Sequence, residues 1–163
     1  MPTTPCVPKT RFDFHPHRTL ELTHDAPRTS SDGGLLLLRQ LDERLGLAGR
    51  VAALLPDQRA PERVVHSRVE QVRQRLFQIA LGYEDQNDAD ALRHDPLWRA
   101  SCDRLPDDAR GLSSQPTLSR LEHAATARTV VRLQRQLETD YVASLPQDTD
   151  VVVLDLDSTS DPT

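Results

Sequence analysis

Residues 151–156, VVVLDL, carry the one convincing buried-strand signal in this chain, and that single strand limits what the chain can fold into. Residues 151–154 are apolar on both faces, the pattern of a central strand covered from both sides. A lone strand leaves its ladder groups unpaired. The stretch before it reads as helix at almost every position where a period is visible. The expected fold class is therefore mainly α: a helical N-terminal region followed by the first β-strand of an incomplete α/β core. The chain is expected to be the front part of a larger enzyme, cut off at its first catalytic residue.

The acids at the end of that strand carry the chemistry. Residues i and i+2 of a strand share a face, so Asp155 and Asp157 point the same way, and Leu154 and Leu156 the other. Two carboxylates on one face repel unless a cation or a proton joins them. The bland reading is a strand-to-loop transition capped by acids. Two chemistries fit the same residues. In two-metal phosphoryl transfer, carboxylates hold divalent ions that act on the attacking and leaving oxygens. Alternatively, VVVLDLDST resembles the haloacid-dehalogenase pattern of four apolar residues followed by Asp-x-Asp-x-Thr, with Asp155 as nucleophile and Asp157 as general acid/base. The strand alone leaves both open.

Charge narrows the partners. The net charge of −5 argues against a simple basic nucleic-acid binder. The average hides a segregation, however. Residues 59–75 hold five Arg against two acids, residues 110–135 five Arg against one Glu, and residues 136–163 seven acids with no Lys or Arg. Arg-rich helices that meet phosphate are compatible with a negative total. Cys6 and Cys102 are isolated and lack metal-ligand spacing, which suggests a reducing compartment. The N-terminus has no apolar run of signal-peptide length, and the apolar run at 35–38 is far too short to span a bilayer. A cytoplasmic protein without membrane contact is expected.

Residues 1–31, rich in Pro, Thr and His, read as an extended arm with a short strand at 11–14 or 19–23. Ser31 or Asp32 can cap a helix that Gly46 ends, followed by a shorter helix to Pro56. The strongest helical signal covers 64–81, where Val65, Val69, Val72, Leu76 and Ile79 form one apolar stripe. Arg68, Arg73, Arg75, Gln71, Gln74 and Gln78 lie off that stripe, so the three arginines are candidates for DNA-phosphate contacts; a solvated helix face is the plain alternative. Gly82 is a C-cap, a short helix ends near Arg93, and residues 101–112 read as a loop. Ser114 and Pro116 open a helix whose Thr117, Ser119 and Arg120 are candidates for entering a DNA groove. A long helix spans 126–145, with Val130, Leu133 or Gln134, Leu137 and Tyr141 on one side. The domains expected are an arm at 1–31, a helical DNA-engaging region at 32–146, and the start of a catalytic domain at 147–163.

The ordered blocks separate the two chemistries. HSRVEQVRQRLFQIALGYEDQNDADALRHDPLWR, LSSQPTLSRLEH and VVLDLDSTSDPT, together with SDGGLLLLRQLDERLGL, resemble the N-terminal half of DDE-type insertion-sequence transposases. The likeness covers about residues 12–163, with the blocks in the family's order. It implies a ribonuclease-H-like core, Mg²⁺ or Mn²⁺ held by three acidic residues, DNA at mobile-element ends as substrate, and a homo-oligomeric full-length protein. The first catalytic and metal-binding Asp maps to Asp157, with Asp155 on the same face as the alternative ligand; the second Asp and the Glu lie downstream in the family. The family usually continues past DPT into a His-Gly pair, so independent catalysis by this chain is not expected. The rivals are a non-catalytic DNA-binding fragment and a truncated haloacid-dehalogenase-like phosphatase.

Overall fold

The computed structural model describes residues 9–23 and 30–153. Among them the chain is mainly α. A two-stranded antiparallel hairpin, β1 (Thr10–Phe12) and β2 (Leu20–Leu22), pairs Arg11 with Glu21 and forms the described part of the N-terminal arm. Seven helices follow: α1 (Leu35–Leu45), α2 (Leu47–Leu54), α3 (Arg68–Ala80), α4 (Asp88–Leu92), α5 (Pro96–Ser101), α6 (Gln115–His123) and α7 (Ala127–Ser144).

Local chemistry sets most of the boundaries. Gly46 adopts φ +65° and lets α1 turn directly into α2. Ser67 caps α3 by accepting the Glu70 N–H. At its other end Gly82 adopts φ +84°, while Gly82 and Tyr83 donate back to Ile79 and Gln78, closing a Schellman turn. Pro96 does not simply stop a helix. It occupies the first turn of α5, and the Asp95 carboxylate accepts the Leu97 and Trp98 amides. Helix α5 was not legible from periodicity because it is only 6 residues long.

Two apolar clusters build the interior. One joins α2, α3, α4 and α6 through Ala48, Ala52, Val72, Ala89, Leu118 and Leu121. The other joins α1, α3 and α5 through Leu35, Phe77, Trp98 and Cys102, with Leu112 from the following loop. Helix α3 contributes to both, which explains the main departure from the sequence expectation. Its covered surface is wider than a single stripe: Gln71, Arg73, Gln74 and Gln78 are buried, while Ile79 is 52% exposed. Val65 precedes the Ser67 cap and is also outside, so the helix begins later than the 64–81 pattern predicts.

The buried polar groups of α3 find partners far along the chain. The Gln74 amide donates to the Ser113 carbonyl at 3.0 Å and accepts the Ser113 N–H at 2.9 Å, so a side chain completes the backbone pairing of a loop. Arg73 donates to Asp42 at 2.8 Å and also pairs with Asp103. Asp103 is the one non-glycine residue with positive φ among the described residues, at 62°, and its carboxylate reaches Arg39 as well, at 2.9 Å. Arg39 continues the network to Glu43 at 2.6 Å and lies 5.0 Å above the Phe14 ring, fastening the arm to α1.

Three further expectations are corrected. The cap position of α1 is Gly34, without a side-chain hydrogen bond. Ser31 lies farther out, and Asp32 instead accepts from Trp98 Nε1 at 2.8 Å and from the Tyr83 hydroxyl at 3.1 Å. In α7, the side bearing Val130, Leu137 and Tyr141 is exposed; Thr129, Leu133, Gln136 and Asp140 are the more covered positions, and Asp140 pairs with Arg50 of α2 at 3.0 Å. Polar anchoring outcompetes the apolar stripe there. Finally, residues 151–153 are exposed and not in a strand, since no neighbour pairs with them among the described residues. Residues 154–163, with Asp155 and Asp157, lie outside the described residues.

Candidate nucleic-acid interface

The segment between α2 and α3 is built around an arginine-carboxylate clasp. Leu55 takes an extended conformation and ends α2, and a 3-10 turn at Pro61–Arg63 leads toward α3. Asp57 accepts two hydrogen bonds from Arg59, from Nε and from Nη2, both at 2.7 Å, and one side of Arg68 at 3.1 Å. This fork-to-carboxylate geometry fixes both guanidinium groups. The Arg59 hydrogen bond holds the Asp57 carboxyl well below the usual carboxylate range, against the opposing effect of burial. Arg59 also donates to the His66 carbonyl at 2.9 Å, and Arg68 to the Pro56 carbonyl at 2.9 Å.

The clasp forms one wall of a cleft of about 650 Å³, and α6 forms the other. Arg59, Arg63 and Arg68 line it from the first wall; Ser114, Thr117 and Arg120 line it from α6. Arg93, at the end of α4, adds a fifth guanidinium. Its contact with Asp90 is loose, at 3.8 Å. Arg63 and Arg120 are exposed and have no carboxylate partner among the described residues. Arg120 donates to the Thr117 hydroxyl at 3.3 Å, which aims both groups from one face of α6. Five guanidinium groups and the Thr117 hydroxyl line this cleft, with Arg59 and Arg68 shared with Asp57 and Arg63 and Arg120 left for an anion; Arg forks match phosphate oxygens.

Beneath this wall, His66 Nδ1 lies 2.7 Å from the Glu70 carboxylate, which also accepts Arg104 Nε at 2.7 Å. Burial would raise the Glu70 carboxyl, but the hydrogen bonds from His66 and Arg104 outweigh it and hold it below its ordinary value. Glu70 is thus kept as a charged anchor for the start of α3 and is not a proton donor near neutrality.

The residues singled out from the sequence divide into groups. Arg68, Thr117 and Arg120 meet at the cleft. Ser119 belongs to α6 but not to the cleft wall, and its hydroxyl sits 3.4 Å from His123 Nδ1. Arg73 is buried in the ion network of α3, and Arg75 pairs with Glu122 at 2.5 Å and donates to the Glu84 carbonyl at 2.8 Å. Both of these guanidinium groups already have carboxylate partners within the protein. Arg59, Arg63 and Arg93 line the cleft without having been singled out. The arginine density of 59–75 was the available signal, but nothing local to residues 57–63 places them opposite α6.

A family model described as "Transposase DDE domain group 1" matches residues 12–163. The chain belongs to this transposase family. Its function is therefore transposition-related, and DDE transposases act with divalent metal ions on DNA. No curated protein and no solved structure gives a significant match to this transposase-family chain. Among its described residues, no helix is long and apolar enough to cross a membrane.

Proposed function

We propose that this transposase-family chain engages DNA through the arginine cleft and supplies the first catalytic carboxylate of an enzyme that cuts and rejoins DNA at mobile-element ends. Residues 32–146 are the DNA-engaging region, and Phe14 of the arm packs against Arg39 of that region. Residues 147–163 begin a ribonuclease-H-like catalytic domain. The observation that carries the reading is the pair Arg63 and Arg120, charged and without carboxylate partners among the described residues, on opposite walls of a cleft that also presents Thr117. Arg59 and Arg68, held in place by Asp57, extend the same positive surface at little further ordering cost on binding. Phosphate contacts of this kind fix the register of a duplex without reading its sequence.

Asp157 is assigned as the first metal ligand, with Asp155, two positions earlier in the sequence, as the accompanying carboxylate. A pair of carboxylates is a hard-oxygen donor set, which suits Mg²⁺ or Mn²⁺ and not a soft metal. Such an ion, when bound, supplies an activated attacking oxygen and stabilises charge on the phosphoryl group. The protein's own part is to supply these two carboxylates to the ion while the cleft arginines position the DNA backbone.

Two measurements test the two halves. Replacing Arg63→Gln and Arg120→Gln together is expected to weaken binding of every duplex sequence alike and to lower the slope of log K against log salt by about two. An unchanged slope in fluorescence anisotropy would remove the cleft from the DNA path. For the metal, Mn²⁺ titration followed by water-proton relaxation is expected to show an enhancement that Asp157→Asn reduces; equal enhancement in both proteins would refute the assignment of Asp157.

A further inference from the structure

Helix α7 carries its charges in an order that its own stability does not explain. Arg128 lies in the first turn, where no acidic residue accompanies it and where a cation opposes the helix dipole. Arg128 and Arg132 are four residues apart and Arg132 and Arg135 three apart, so like charges are neighbours on one face. All three are exposed, and none has a carboxylate partner among the described residues. The acids of the same helix are already engaged: Glu138 accepts from Gln134 at 2.9 Å, and Asp140 pairs with Arg50 at 3.0 Å. The row of arginines is therefore a positive stripe with no ion-pair partner among the described residues.

The stripe is also well placed. Helix α7 turns Thr129, Leu133, Gln136 and Asp140 inward, and the arginines sit one residue back, about 100° around the helix axis. With Ala127 and Val131 they line a shallow surface cleft of about 670 Å³. Ala124 lines the first cleft and Ala127 lines this one, so the two positive surfaces meet at the turn between α6 and α7. The helical rise separates the three arginines by about 6 Å and then about 4.5 Å, close enough for one backbone strand to be touched by all of them.

We propose that Arg128, Arg132 and Arg135 form a second phosphate-binding face, and that a nucleic-acid backbone leaving the arginine cleft continues along α7. The identity of the polyanion as DNA rests on the function proposed above; the existence of the second face does not. The arginines contribute point attraction and bidentate forks to phosphate oxygens.

The test uses the full chain and a fluorescently labelled duplex of mixed sequence. The triple variant Arg128→Gln, Arg132→Gln, Arg135→Gln is expected to lower the salt slope by about two to three, with an unchanged or raised thermal midpoint because like-charge repulsion is removed. The triple replacement by Lys is expected to retain most of the slope. A slope equal to that of the parent overturns the proposal, and so does a lowered thermal midpoint, which would make the arginines structural. The variant Arg63→Gln, Arg120→Gln, measured alongside, separates the two readings. If it keeps the parent slope while the α7 variant loses it, the cleft reading falls and the second face stands. If only the cleft variant loses slope, the second face falls. A parent chain without salt-dependent DNA binding overturns both.

Discussion

Replacing Asp42 by Ala is expected to cost about 3–5 kcal/mol of folding stability. Asp42 is 7% exposed and performs two tasks with one carboxylate. One oxygen accepts the Ala48 amide at 2.8 Å and so satisfies the start of α2; the other accepts Arg73 Nε at 2.8 Å. Removing it leaves a buried guanidinium with Asp103 alone and exposes an orphan amide at a helix start. The cost comes mainly from the charge left behind, because breaking a buried pair is far more damaging than never having made it. Asp42→Asn keeps an acceptor for Ala48 and is expected to cost less. Urea unfolding checks both: the midpoint should fall steeply for Ala with a similar m-value. A loss below about 1 kcal/mol would mean that Arg73 reaches water or another partner. Adding Arg73→Met to Asp42→Ala should recover part of the loss, since the two sites are coupled.

Replacing Trp98 by Ala is expected to cost a similar amount, about 3–5 kcal/mol, for a different reason. Trp98 is fully buried in the cluster with Leu35, Phe77, Cys102 and Leu112. Its ring meets Tyr83 edge-on with centroids 6.0 Å apart. Its indole N–H donates to Asp32 at 2.8 Å, and the Tyr83 hydroxyl donates to the same carboxylate at 3.1 Å. The hydrogen bond to that carboxylate, with burial, pushes the Tyr83 hydroxyl above its ordinary pKa. Deleting the indole opens a cavity and frees the entry to α1 together. Trp98→Phe divides the effects: it retains most of the ring volume and loses the hydrogen bond, so it should cost about 1–2 kcal/mol. Thermal or urea unfolding reads both, and a Phe variant as damaged as Ala would show that the Asp32 bond, not the volume, holds this corner. Domains of this kind are stable by about 5–15 kcal/mol, so either Ala variant removes a large share of the margin.

Much of the helical framework was legible in the sequence because its punctuation is local. Gly46, Gly82 and Ser114 mark their helix ends through backbone geometry or capping position that no distant residue needs to supply. The family was legible because several blocks occur in order. What escaped was sidedness. Periodicity places Arg73, Gln74 and Gln78 on a polar side, yet α3 is covered by two clusters, and the partners of Arg73 lie 31 and 30 positions away. The arginine cleft was half legible for the same reason. Arg68, Thr117 and Arg120 sit on recognisable helices, whereas Arg59 and Arg63 sit in a turn and a 3-10 segment whose placement against α6 is tertiary. Helix α7 keeps Leu133 covered but is turned by about one residue from its expected face, with Thr129 and the Arg50 partner Asp140 covered in place of Val130 and Tyr141.

The chain of charges running Arg39, Asp103, Arg73, Asp42 also constrains which substitutions this fold can accept. Each member answers to at least one other across α1, α3 and the turn after α5. A single replacement strands a charge, and Asp103 must in addition tolerate left-handed backbone. A change at one of the four positions is therefore expected to need a compensating change at its partner, whereas the exposed arginines of the cleft and of α7 are expected to be replaceable one at a time without loss of the fold.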